Sequence, residues 1–129
     1  MIVWDIDDTL ILTNASPKPA KIDIDIGYLN PLVIGREHEV THLITGRFYA
    51  YRRETEHLLR HFNIPFERIW LNPEDDYSQV WIAKIKSRYL DDANAEYYVE
   101  DNPKYRKVMA EFWDGECISV KQWSRLGEI

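Results

Sequence analysis

Val3-Trp4-Asp5-Ile6-Asp7-Asp8-Thr9-Leu10 is the stretch that decides the fold. A short apolar run, Met1 to Trp4, ends in an Asp-x-Asp-x-Thr cluster, so a buried strand delivers Asp5 and Asp7 to the tip of a sheet. Crowded like charges are costly unless a cation or a shared proton compensates. Hard oxygen ligands of this kind suit magnesium, which keeps several waters and shares its sphere with a substrate phosphate. A solvated acidic turn closing a strand explains these residues equally well when they are read alone. The rest of the chain separates the two readings.

Working outward, short apolar runs alternate with helical stretches, the pattern of a parallel sheet built from strand–helix units. Val40 to Ile44 reads as a second strand, ending in Thr45-Gly46-Arg47. Between the two strands, residues 13–30 hold Pro17, Pro19 and the alternating Ile22-Asp23-Ile24-Asp25-Ile26, which reads as a loop with a small hairpin or flap. Pro31 to Arg36 allows only a short helix. The periodicity predicts helices over Phe48–Phe62 and Tyr77–Tyr89, and a third from Pro103, with Asn102 as its cap and Gly115 closing it. Strands are expected at Arg68–Leu71, Tyr97–Val99 and Ile118–Val120, with residues 121–129 a tail or brief turn. The expected architecture is a three-layer α/β sandwich around a five-stranded, mainly parallel sheet, in one domain spanning 1–129.

With 129 residues the chain has room for one substantial core. No run approaches the ~20 apolar residues of a membrane span, and no basic-then-apolar leader is visible. A cytoplasmic protein without a membrane partner is therefore expected. A net charge of −6 argues against coating nucleic acid through general electrostatics. It leaves room for a site that grips one phosphate. Cys117, the only cysteine, has no partner base in sequence and reads as an inert thiol.

Parallel sheets bind ligands outside the carboxyl ends of their strands. Asp5 and Asp7 stand at one strand end, Thr45 at a second, and Glu100 and Asp101 at a third. Three strand ends thus point oxygen ligands and hydroxyls toward one crevice. The Tyr77–Tyr89 helix offers two lysines, Lys84 and Lys86. Lys84 flanks the Trp81/Ile85 face and lies nearer the helix start, so it is preferred over Lys86.

Asp5-x-Asp7-x-Thr9, Leu43-Ile44-Thr45-Gly46-Arg47, a helix lysine and Val99-Glu100-Asp101 resemble, in this order, the four motifs of the haloacid dehalogenase superfamily. The resemblance spans nearly the whole chain. It implies a magnesium-dependent phosphohydrolase in which Asp5 is the nucleophile and forms an aspartyl-phosphate. It implies that Asp7 is the general acid and base, that Thr45 hydrogen-bonds the phosphoryl group, and that the lysine neutralises it. Magnesium would be held by Asp5, the Asp7 backbone carbonyl and Asp101, with Thr9 and Glu100 in support. Asp8 stands where glycine is common in the family.

Thr45-Gly46-Arg47, followed by an Arg/Tyr-rich helix and later by Pro73-Glu74-Asp75, is similar to the phosphatase half of polynucleotide kinase and its relatives. That likeness implies Gly46 and Arg47 as substrate-binding residues and phosphorylated nucleic-acid ends as substrates. Two departures are a shorter first helix and Glu100-Asp101 in place of Asp-Asp. Arg47 has two readings: a bidentate phosphate contact, or an ion pair with Glu100 or Asp8. With no room for a large cap, the site is expected to be open. The alternatives are a small-molecule or nucleotide phosphatase whose lid comes from an oligomer, and a non-catalytic phosphate- or metal-binding module on the same fold. His38, His42, His57 and His61 lack metal-ligand spacing. Trp113 and Trp123 are the tryptophans expected to be partly exposed.

Overall fold

A computed structural model describes residues 1–126. Five parallel strands form the central sheet: β1 (Ile2–Trp4), β4 (His42–Phe48), β5 (Arg68–Asn72), β6 (Tyr97–Val99) and β7 (Glu116–Ile118). Their spatial order is β5-β4-β1-β6-β7, which puts the acidic β1 in the middle. β2 (Ile11–Thr13) and β3 (Gly27–Leu29) pair antiparallel as a separate hairpin that starts before the expected flap, and the alternating residues 22–26 form loop and turn between them.

Helix α1 (Arg52–His61) follows a 3-10 turn at Tyr49–Tyr51, so the helix begins later than its periodicity predicts. Helix α2 is Gln79–Asp92, α3 is Pro103–Ala110 and α4 is Val120–Ser124. Alternation along the strands splits the core into two layers. Trp4, Leu43 and Val99 face a cluster containing Leu58 and Leu59 of α1 and Trp123 of α4. Val3, Ile44 and Tyr98 face a second cluster with Ala83 and Leu90 of α2 and Met109 of α3. The three-layer α/β expectation therefore holds, and the main sheet is wholly parallel.

The C-terminal segment differs from its reading. β7 ends at Ile118, and Ser119 caps α4 with a reciprocal capping box through Gln122. Trp123 is buried and meets the Trp4 ring edge-on at 4.7 Å, whereas Trp113 is buried in the other layer. Both tryptophans expected to be partly exposed are core residues, one in each layer. Residues 127–129 of the expected tail lie outside the described residues. No helix among the described residues is long and apolar enough to cross a membrane.

Candidate active site

Each side chain here is placed by the strand or helix that carries it. After β1 the chain turns sharply, with the Ile6 carbonyl accepting from the amides of Thr9, Leu10 and Ile11. Asp8 has φ 63°, a left-handed conformation that glycine adopts freely and that aspartate tolerates better than most residues. The turn leaves Asp5, Asp7 and Asp8 beside a crevice of about 680 Å³. Thr45, Gly46 and Arg47 of β4, Lys86 of α2 and Glu100 after β6 line the same crevice, as do Lys18, Tyr77 and Tyr105 around it. Three strand ends meet as the sequence implies.

The lysine that reaches the crevice is Lys86. Its Nζ lies 3.0 Å from Asp5 Oδ1 and 2.6 Å from Tyr98 Oη, while Lys84 points to solvent. The two lysines are ~200° apart on the helix, and the preference for Lys84 followed the wrong stripe. Trp81 and Tyr89 define a flank that reaches β5, bonding Asn72 Oδ1 and the Leu71 carbonyl. The buried residues of α2 are Ala83, Ile85, Lys86, Ser87 and Leu90, and Ala83 and Leu90 join the sheet residues Val3, Ile44 and Tyr98 in one cluster. Burial works against the charge on Lys86, but Asp5 and then Glu100 outweigh it and hold the ammonium above its ordinary range.

Asp101 is the second correction. Its Oδ1 accepts from the Val120 amide at 2.9 Å, tying β6 to the start of α4, and it does not line the crevice. Glu100 lines it instead and is only 2% exposed. Strand alternation explains this: Tyr98 and Glu100 share the Lys86 side, and Val99 and Asp101 take the other. Thr9 Oγ1 stands 3.2 Å from Asp5 Oδ2 and 3.0 Å from Glu100 Oε2. One hydroxyl has a single proton to give, so the two buried acids share an incomplete set of donors. Burial and then Asp5 push the Glu100 carboxyl up to about 8, with Lys86, the Asn102 amide and Thr9 opposing.

Arg47 is the third correction. It lies within the irregular end of β4, where the register with β5 shifts between Ile44 and Phe48. It is 3% exposed, and its guanidinium grips both Asp7 oxygens at 2.8 and 2.7 Å. Nη2 also donates to the Ile22 carbonyl, and the Ile22 amide donates to Asp7 Oδ1, so one arginine joins Asp7 to the flap segment. Arg47 is ion-paired, but with Asp7 rather than with the expected Glu100 or Asp8. Thr45 is buried and its Oγ1 accepts from the Arg47 amide at 3.1 Å. At Gly46 a Cβ would stand 3.2 Å from Ile82 Cδ1, so β4 and α2 approach closely here.

No group of three or more His, Cys, Asp and Glu side chains among the described residues is arranged to hold a metal ion. Asp5 and Glu100 bring two carboxyl groups to the crevice, the kind of hard oxygen donor that magnesium takes, and the Lys86 ammonium stands 3.0 Å from Asp5 Oδ1. Tyr98, Arg47 as a clamp and the inward Glu100 are the contributions that sequence reasoning missed. Period-two alternation from Val3 and Asp5 is the signal that groups Tyr98 with Glu100 on one face.

Comparison with solved structures then gives a match. The chain is similar to a chain in the structure of the Pnkp1/Rnl/Hen1 RNA repair complex, with a TM-score of 0.68 and 22% identity. The match covers 92% of this chain and 41% of that one, so this chain spans about two-fifths of its length. At that identity the likeness concerns the fold. No protein-family model matches the sequence. No curated protein matches it either.

Proposed function

We propose that this protein is a magnesium-dependent phosphohydrolase of haloacid dehalogenase type, acting through an aspartyl-phosphate on Asp5. The observation that carries the reading is the Lys86 ammonium 3.0 Å from Asp5 Oδ1 at the edge of a crevice shared with Thr45 and Glu100. A carboxylate attacks phosphorus only if repulsion between two anions is relieved. Lys86 supplies part of that relief. Magnesium, held by Asp5 and Glu100 with the Asp7 carbonyl, would supply the rest as a Lewis acid.

In the first step an Asp5 oxygen forms a bond to phosphorus and the ester P–O bond breaks, with Asp7 giving a proton to the leaving oxygen. In the second, Asp7 takes a proton from water, whose oxygen attacks the phosphorus and frees Asp5 with release of phosphate. Both Asp7 oxygens are held by the Arg47 guanidinium, which orients the carboxyl group for the two steps. For the first, one guanidinium contact must give way so that an Asp7 oxygen can carry the proton. Thr45 donates to the phosphoryl oxygens.

The substrate is a phosphate monoester, with phosphorylated nucleic-acid ends favoured by the resemblance to polynucleotide kinase phosphatases and by the fold shared with a chain of an RNA repair complex. A second reading, a non-catalytic binding module, draws on the two-point occupation of Asp7 by Arg47. Phosphate release from an aryl phosphate, nucleoside monophosphates, a 3′-phosphorylated oligonucleotide and a phosphopeptide decides between them. Magnesium-dependent release abolished in Asp5→Asn supports the enzyme. No release by folded protein that binds magnesium favours the module.

A further inference from the structure

We propose that Tyr98 is a positioning residue of the phosphohydrolase site: its buried hydroxyl fixes the Lys86 ammonium beside the nucleophile Asp5. The inference rests on the phosphohydrolase reading and extends it to a core residue outside the four motifs. Tyr98 is fully buried in β6, in the layer formed with α2 and α3. Its Oη lies 2.6 Å from Lys86 Nζ, and the ammonium reaches Asp5 Oδ1 at 3.0 Å. Two of the three lysine donors are thereby directed, and the third is left for the crevice that Lys86 lines.

The chemistry asks for this kind of partner. A lysine is a flexible, four-carbon point charge, and holding it in one rotamer costs entropy. Asp5 and Glu100 both attract it, so carboxylates alone would hold it wherever their field is strongest. As Asp5 bonds to phosphorus its charge falls, and the lysine must then serve the phosphoryl oxygens. A neutral hydroxyl anchors the ammonium without taking charge neutralisation away from the phosphate. A phenol carries no charge near neutral pH. The phenol ring packs among Val3, Ile44 and Leu90, which makes the anchor rigid.

The test compares wild-type protein with Tyr98→Phe, which removes one oxygen and keeps the ring. Hydrolysis of an aryl phosphate with magnesium is measured as kcat and KM separately, beside thermal unfolding. About a tenfold fall in kcat, the scale of one hydrogen bond to a charged group, is expected with KM within about twofold. A lowered unfolding temperature with unchanged kcat would overturn the proposal, because a packing role predicts that result. If Tyr98→Phe does not fold, the Lys86 ammonium resonance of the wild type decides. Slow exchange with a nuclear Overhauser contact to the Tyr98 ring supports the anchor, and its absence overturns it. Absence of turnover by the wild type itself overturns the phosphohydrolase reading and the catalytic role together, whereas the ammonium resonance reports on the pairing alone.

Discussion

At the scale of the residue, the two neighbouring lysines of α2 make opposite predictions. Lys86 and Asp5 are both buried and hydrogen-bonded, so Lys86→Met strands a carboxylate and is expected to cost ~3 kcal/mol of stability as well as activity. Lys84→Met on the exposed face is expected to stay within ~0.5 kcal/mol in urea unfolding and to leave phosphate release unchanged. Glu100 and Asp101 form a second such pair. In a magnesium titration followed by thermal unfolding, Glu100→Gln is expected to abolish the metal-dependent rise, while Asp101→Ala keeps it and lowers the baseline through the lost Val120 contact. Cys117 is half-buried, and burial followed by Glu100 pushes its thiol up to about 11 from the ordinary 9.0. The folded thiol therefore keeps its proton as pH rises through 9. Alkylation at pH 8 is expected to be ~100-fold slower in the folded protein than in urea, narrowing toward pH 11.

At the scale of the element, α4 shows how little local sequence is needed to complete a core. It is Val120–Ser124, yet it carries Trp123, which packs on Trp4 of β1 and under the Arg36 guanidinium 4.0 Å from its ring. Trp123→Ala should cost ~3–5 kcal/mol, seen as a lower denaturation midpoint with an unaltered slope. The periodicity of so short a helix is unreadable, so the sequence offers only Ser119 and Gln122 as a capping signal. Helix α2 failed differently. Its aromatic residues mark the flank that meets β5, and its buried residues include the smaller Ala83 and Ser87 together with Lys86. Hydrophobic size misleads wherever a charged side chain occupies the centre of a buried face.

Across the whole molecule, the sheet order β5-β4-β1-β6-β7 converts sequence distance into proximity. β1 pairs with β4 on one side and β6 on the other, so Asp5, Thr45 and Glu100 become neighbours through the sheet itself. The flap segment is joined to this centre through Arg47, which binds both Asp7 and the Ile22 carbonyl. Arg47→Lys keeps the charge and loses the fork geometry. Its expected outcome is faster amide exchange across residues 13–26, measured by hydrogen–deuterium exchange, with slower exchange preserved in β1 and β6.

Asp5, Asp7, Thr45 and the acidic pair after β6 were legible before folding, because alternating strands and helices send strand ends to one edge and apolar runs mark those ends. The three-layer sandwich was legible for the same reason. Tertiary structure alone decided which member of each adjacent pair faces inward. Glu100 over Asp101, and Lys86 over Lys84, depend on which side of β6 and of α2 the rest of the chain covers. It also decided that Arg47 binds Asp7, since that contact spans 40 residues and forms only when β4 lies beside β1. Periodicity fixes which residues share a face, and only packing assigns that face to a neighbour.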